Sequence, residues 1–339
     1  MVLTEFDFPF DPSLIADRPV EPRDQARLLV VPRRTGPFSH RRVIDLPALL
    51  NPGDLLVVND TKVLPARLMG RKRPSGGRLD LVFVRALGEG LWEVLFKGNA
   101  RRGQVIEFGQ EATATVVERT AERTTVKLDS SMPAREIFEK LGHMPLPPYI
   151  KRAPRPEDRH WYQTVFAREG SAIAAPTAGL HFTERLLTAL RGRGIEIATV
   201  TLHVGPATFR PVMTERIEDH PMGSERIEVS AEAAAAIERA KQRSGRVVAV
   251  GTTVVRTLES AVQPDGTLRP LRGEPTLYIT PGYRFKVVDA LLTNFHLPRT
   301  TLLMLASAFA GVEPLRVAYE EAVREKYRFY SYGDAMLIL

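Results

Sequence analysis

The chain changes its hydrophobic rhythm on either side of one proline-dense stretch, "HMPLPPYIKRAPRP" (143–156), and that break constrains the fold most. Proline fixes φ and lacks an N–H donor, so this stretch cannot be a helix interior or a central strand. It reads as an extended linker. Before it, from Val63 to about Leu128, short apolar runs alternate with glycine- or charge-rich turns. They are "RLDLVFVRA" (78–86), "LWEVLFK" (91–97), "QVIEF" (104–108), "ATATVVER" (112–119) and "RTTVKLD" (123–129). Such spacing predicts a small antiparallel barrel. "MPAREIFEKLG" (132–142) predicts a short helix.

After the linker, strand and helix patterns alternate. "SAIAA" (171–175), "IEIATVTLHV" (195–204), "RVVAV" (246–250) and "KVVDALL" (286–292) read as strands. "TERLLTALRGRG" (183–194), "AEAAAAIERAKQRSG" (231–245), "TVVRTLESAV" (253–262) and "TTLLMLASAFAG" (300–311) read as helices. Alternation of this kind implies a sheet with substantial parallel character. Two earlier runs, "RLLVV" (27–31) and "LLVV" (55–58), add strands before the barrel. The expected fold class is therefore α/β. A discontinuous domain with a mixed or parallel sheet, residues 1–62 and 151–339, carries an inserted small antiparallel β-barrel domain, residues 63–150, which includes the linker.

Composition narrows the functional classes. The 339 residues contain no cysteine, which excludes disulfides, thiolate nucleophiles and cysteine-ligated metal sites. The N-terminal segment has no basic stretch followed by an apolar run, and no apolar run nears 18 residues, so neither a signal peptide nor a membrane partner is expected. These features point to a cytosolic protein. Net charge is +7, and the basic residues cluster at 33–42, 71–73, 97–102 and 151–159. Such clusters suit a polyanionic partner, or equally a solvated arginine-rich surface.

Ligands in an open α/β sheet lie beyond the carboxyl ends of the strands. The loops expected there are "PTAGLHF" (176–182), "HVGPATF" (203–209), "GTTVVR" (251–256) and "TNFHLPRT" (293–300). They are small, glycine-bearing or hydroxyl-rich, and three carry a histidine: His181, His203 and His296. Small residues let a ligand approach the backbone, and helix N-termini offer N–H groups to anions. Each piece also has a plainer reading. Gly179 and Gly205 can simply make turns, His181 can be a structural hydrogen bonder, and Arg256 can be solvated. Thr183 and one of Thr252 or Thr253 suit helix N-caps. His181 and His203 could ligate a metal, but no H-x-x-x-H or carboxylate pairing supports it. Glycine fingerprints for dinucleotides and P-loops are missing, as is a G-x-S-x-G elbow.

Long strings then carry a resemblance. They include "SHRRVIDLPALLNPGDLLVVNDTKVLPARL" (39–68), "GSAIAAPTAGLHFT" (170–183), "VGTTVVRTLES" (250–260) and "PGYRFKVVDALLTNFHLPRTTLLMLASAFAG" (281–311). Nearly end to end, the chain resembles the S-adenosylmethionine:tRNA ribosyltransferase-isomerases of queuosine biosynthesis. It departs from the family pattern at Ala207, usually glycine, and Gly223, usually histidine. The resemblance implies an α/β domain with a β-barrel. It implies S-adenosylmethionine as co-substrate, no metal and no other cofactor. The implied partner is a tRNA with a GUN anticodon carrying 7-aminomethyl-7-deazaguanine at the wobble position. The products would be epoxyqueuosine-tRNA, adenine and methionine. A monomer is favoured.

That chemistry needs a general base, a proton donor for adenine and a carboxylate site. His181, His203 and His296 suit proton handling, with no division among them. Thr252, Thr253 and Arg256 suit the methionine carboxylate. Tyr283 and Phe295 could stack on adenine or the modified base. Asn59, Asp60 and Thr61 at a strand end, with Thr177, Gly179, Gly205 and Asn294, complete the expected pocket. Arg101, Arg102, Lys151 and Arg152 are expected to meet the tRNA between barrel and α/β domain, where unstacked loop bases can be read. Two other classes remain open. An S-adenosylmethionine-dependent tRNA methyltransferase would share both substrates, and a non-catalytic RNA-binding module would need only barrel and charge.

Overall fold

Four apolar runs form the parallel centre of a nine-stranded sheet: β3 (Leu55–Asn59), β10 (Glu196–Leu202), β12 (Val247–Val250) and β14 (Ala290–Asn294). The computed structural model describes residues 1–33, 36–120, 123–168, 170, 172–205 and 212–339. Other strands in chain order are β1 (Arg27–Val31), β2 (Ser39–Arg42), β4 (Arg67–Lys72), β5 (Arg78–Gly88), β6 (Leu91–Lys97), β7 (Val105–Phe108), β8 (Ala112–Arg119) and β9 (Thr124–Ser130). Then come β11 (Ile227–Val229), β13 (Leu271–Gly273) and β15 (Ala335–Ile338). Sheet order is β13-β11-β10-β3-β12-β14-β15-β1-β2. Strand β15 runs antiparallel to β14, and β11 and β13 extend the other side in antiparallel fashion.

Every residue of β3, β12, β14 and β15 is buried, as expected when helices cover both faces. Alternate residues serve opposite cores. Leu55 and Val57 pack with α5 (Ala231–Gln242), α6 (Thr252–Ser260), α7 (Thr301–Ala310) and α8 (Val312–Arg324). Leu56 and Val58 pack with α4 (Glu184–Gly192). Short helices α1 (Leu46–Leu49), α2 (Ala134–Leu141) and α3 (Asp158–Trp161) complete the set.

Strands β4-β5-β6-β9-β8-β7 close a barrel. Leu81, Phe83, Val94, Ile106, Phe108 and Val126 fill it, and Ile137 and Phe138 of α2 plug it. Gly70 is required by the closure: a Cβ there would lie 2.6 Å from Ile106 and 2.7 Å from Phe108.

Three sequence expectations need correction. Residues 172–175 form no strand. Ala172 makes an isolated bridge with Val63, and the next N–H, from Ile173, turns to Val204 instead. The strand expected over 286–292 begins four residues later. The Glu259 carboxylate accepts the N–H groups of Lys286, Val287 and Val288, which removes those donors from any ladder. Neither Thr252 nor Thr253 caps α6, whose N-cap is Gly251 at φ 96°. Thr183 does cap α4, accepting from the N–H of Leu186. Strands β2, β4, β11, β13 and β15 and helices α1, α3 and α8 are absent from the sequence reading.

Candidate active site

Because β3, β10, β12 and β14 are mutually parallel, their carboxyl ends share one edge of the sheet. Asn59, the last residue of β3, ties that edge together. Its Nδ2 donates to the Leu202 carbonyl at 3.0 Å and to Thr253 Oγ1 at 3.4 Å. Its Oδ1 accepts the N–H groups of Leu202 and Thr61. A buried amide with this many partners is a costly group to remove, because each orphaned backbone group would be desolvated without compensation. Asp60 beside it accepts from Thr201 Oγ1 at 2.7 Å.

The three histidines divide by environment. The Asn294 amide donates to the Tyr330 carbonyl at 3.1 Å, and its Oδ1 accepts from Thr177 Oγ1 at 2.8 Å. That fixes the amide orientation, so Nδ2 also donates to His181 Nε2 at 3.2 Å. His181 is thus a neutral ring with Nε2 unprotonated. Burial, with Arg328 and Arg23 nearby, pushes it down to about 3. His296 Nε2 pairs with Thr293 Oγ1 at 2.8 Å, and burial alone pushes it to about 3. His203 is half-buried, with Nδ1 held by Thr61 Oγ1 at 2.9 Å. Burial first, and then Arg226, lower its affinity for a proton, partly offset by Asp60 and Glu228.

Only His203 of the three faces the large cleft, which has a volume of about 590 Å³. Barrel residues Phe83, Arg85, Trp92, Glu93 and Phe138 form one wall. Ile173, His203, Val204, Gly205, Ser224, Glu225, Arg226 and Glu274 form the other. This volume lies in the range of small-molecule sites, and the mixed apolar and charged lining suits a heterocycle bearing polar groups. Val204 separates it from a cavity of about 30 Å³ lined by Thr177, Thr252, Thr253, Thr293, Asn294 and His296. A third, of about 40 Å³, lies between His296, Tyr149, Tyr330 and Ser331. Each small cavity has room for only a few waters.

Several expected site residues are engaged elsewhere. Arg256 is ion-paired with buried Glu225 and donates to the Leu277 carbonyl at 3.3 Å. It is neither solvated nor open to a substrate carboxylate. Phe295 is fully buried among Tyr319, Tyr327 and Phe329, so its ring cannot stack on a ligand. Tyr283 donates to Glu259 at 3.1 Å. Glu259 lies near the end of α6, beside the start of β14, so Tyr283 sits at the opposite edge of the sheet from His203. Arg152 makes a two-pronged ion pair with Asp158, at 2.6 and 2.8 Å, and is not free for phosphate. Lys151, Arg101 and Arg102 are exposed and have no side-chain partner among the described residues. Arg101 and Arg102 follow the carboxyl end of β6, whereas Trp92 and Glu93 at its amino end line the cleft.

Of the two glycines, only Gly179 is set by packing. A Cβ on Gly179 would press Thr164 at 3.0 Å, while Gly205 has space and donates its N–H to Glu225 at 2.8 Å. Ala207 lies outside the described residues. Gly223 offers no side chain, and Ser224 and Glu225 after it line the cleft. Trp92, Glu225, Arg226 and Glu274 went unrecognised in the sequence. Among the described residues no three His, Asp or Glu side chains converge as a metal site would require, and no single helix is long and apolar enough to cross a membrane.

A family model described as "Queuosine biosynthesis protein" matches residues 3–338. The chain is 51% identical, over 344 aligned positions covering both chains fully, to the S-adenosylmethionine:tRNA ribosyltransferase-isomerase of Moorella thermoacetica. It is 50% identical over 343 positions, again covering both fully, to the protein of the same name from Symbiobacterium thermophilum. The crystal structure of S-adenosylmethionine tRNA ribosyltransferase from Thermotoga maritima is similar with a TM-score of 0.57 and 38% identity. That similarity covers 99% of this chain and 100% of that one.

Proposed function

The chain belongs to the queuosine biosynthesis protein family, and from that premise we propose that it is an S-adenosylmethionine:tRNA ribosyltransferase-isomerase. It moves the ribosyl unit of S-adenosylmethionine onto the aminomethyl nitrogen of 7-aminomethyl-7-deazaguanine at the tRNA wobble position. The products are epoxyqueuosine-tRNA, adenine and methionine. The observation that carries this reading is the full-length correspondence to enzymes of that name.

The site supplies a route. The sulfonium acidifies the C5′ hydrogens of its ribose. A base that removes one gives an ylide-like carbanion, which opens the sugar and expels adenine. The RNA amine then attacks, and methionine leaves as a neutral thioether. In this reading His203 is the base. Thr61 orients its ring, and the lowered proton affinity keeps it neutral and ready near pH 7. His181 and His296, sealed by Asn294 and Thr293, hold the strand-end loops in place instead. The cleft between barrel and sheet receives the wobble base. The tRNA has a GUN anticodon, S-adenosylmethionine is a co-substrate and no metal enters. The protein works as a cytoplasmic monomer, with the α/β unit at 1–62 and 151–339 and the inserted unit at 63–150.

Product analysis tests it. With S-adenosylmethionine and a tRNA bearing the aminomethyl base, adenine and methionine should appear one for one with modified tRNA. The added mass should contain the sugar carbons without the methyl group. S-adenosylhomocysteine with a methylated base would mean a methyltransferase. Intact RNA binding with neither product would mean a non-catalytic module.

A further inference from the structure

Of the charged side chains on the cleft walls, most are already paired. Arg85 holds Glu93 at 3.2 Å, and Glu225 holds Arg256. Arg226 and Glu274 line the same cleft and are exposed, and their side chains make no hydrogen bond or ion pair among the described residues. Strand register explains where they sit. Leu202 of β10 faces Ile227 of β11, and Ile227 faces Gly273 of β13. One residue further on, the N–H of His203 donates to the Arg226 carbonyl at 3.0 Å. His203, Arg226 and Glu274 therefore form a row across three adjacent strand ends. Two residues further along β11 on the same face, Glu228 and Arg272 close an ion pair at 3.6 Å. Arg226 and Glu274 do not.

A cation and an anion left open side by side suit a zwitterion. We propose that Arg226 and Glu274 form the subsite for the methionyl end of S-adenosylmethionine, Arg226 taking the α-carboxylate and Glu274 the α-ammonium. The proposal rests on the function proposed above. A guanidinium fork matches a carboxylate. The nucleophilic RNA amine is a poor alternative occupant for Glu274, because an adjacent carboxylate would favour its protonated, unreactive form. Spacing supports the placement. Neighbouring strands lie ~4.8 Å apart. Four bonds separate the methionyl α-carbon from C5′, a reach of roughly 5 Å at ordinary bond lengths. An amino-acid head held between β11 and β13 thus puts C5′ between β11 and β10, on the side where His203 stands. The other anion site expected from sequence, at the start of α6, has its arginine occupied and a cavity of only about 30 Å³.

The test compares three ligands with saturating tRNA present: S-adenosylmethionine, its decarboxylated analogue and 5′-methylthioadenosine, the last two as competitive inhibitors. Arg226→Ala should raise KM for S-adenosylmethionine by about tenfold to a hundredfold and leave Ki of the decarboxylated analogue unchanged. Glu274→Gln should weaken both amine-bearing ligands and spare methylthioadenosine. Arg226→Lys should recover part of the loss. The subsite is wrong if Arg226→Ala weakens the decarboxylated analogue equally. It is also wrong if KM for S-adenosylmethionine stays put while the salt dependence of tRNA binding falls, which would give Arg226 to phosphate. An unaltered protein that releases no adenine would overturn the function beneath it as well. An active protein with indifferent variants would overturn the subsite alone.

Discussion

The Asn294 amide holds His181 as an acceptor at 3.2 Å while donating to the Tyr330 carbonyl, so one side chain sets the protonation state of another. A carbonyl can only accept, which leaves the amide no freedom to flip and the imidazole no reason to carry a proton on Nε2. The same strand end holds His296 against Thr293.

Acid stability should reveal both rings. Each histidine sits at about 3 in the folded protein and near 6.5 when unfolded. Between those limits the unfolded chain binds protons that the native one refuses. Stability is therefore full above pH 6.5 and falls as pH drops toward 3, by at most about 1.4 kcal/mol per pH unit for each ring. Denaturation midpoints measured across that window should show the fall. His181→Gln and His296→Gln should each flatten it, and an unchanged slope in both would mean that the rings are not held neutral.

Turnover should single out His203. Replacement by alanine should lower kcat on the order of 10²–10⁴-fold with the fold intact, because the ring is half-buried at a cleft wall. A neutral base works only when unprotonated, so the rate should fall as pH drops through a limb below 6.5. Thr61→Val, which removes the hydroxyl that orients Nδ1, should lower kcat less and move that limb. A near-native rate for His203→Ala would assign proton transfer elsewhere.

Strand–helix alternation and the barrel were legible in the sequence because each run is long enough to show its period. The environment of the site residues needs tertiary information. Tyr283 and Phe295 have the right chemistry for stacking, yet one is tied to Glu259 and the other lies inside an aromatic cluster. Arg256 follows a promising loop, but its partner Glu225 is 31 residues away. Arg226 and Glu274 flank strands of three residues each, too short for any periodicity to announce. The row they form exists only through long-range register. The three histidines are visible at once, but which of them meets the cleft depends on the burial and the partners that tertiary packing gives each ring.

The basic residues should separate in salt titrations. Lys151, Arg101 and Arg102 have no side-chain partner among the described residues, so if they meet phosphate, each alanine replacement should shallow the log–log slope of tRNA binding by about 0.7 on single strands. Arg152 should behave differently. Its removal leaves the fully buried Asp158 carboxylate without its cation, at a cost on the order of 3 kcal/mol. Arg152→Ala should thus lower the melting midpoint, and Asp158→Asn should relieve much of that loss in the double variant. A changed salt slope at full stability would return Arg152 to the RNA surface.

Trp92 is the aromatic surface that the barrel offers to the cleft. Its ring packs edge-on against Phe83 and Phe138, which also border the cleft but lie almost wholly in the barrel core, so Trp92 is the more accessible of the three rings. A base entering the cleft has Trp92 to stack on, and stacking of this kind is worth about 1–3 kcal/mol. Trp92→Ala should therefore raise KM for tRNA about five- to a hundredfold while changing KM for S-adenosylmethionine little. Trp92→Phe should keep part of the affinity. The only other tryptophan, Trp161, donates its indole N–H to Glu21 and does not line the cleft. A Trp161→Phe protein therefore reports on Trp92 alone. Its fluorescence should be quenched when tRNA bearing the aminomethyl base is added, and quenched less by a tRNA with ordinary guanine. Unchanged fluorescence together with an unchanged KM in Trp92→Ala would move the base away from the barrel wall.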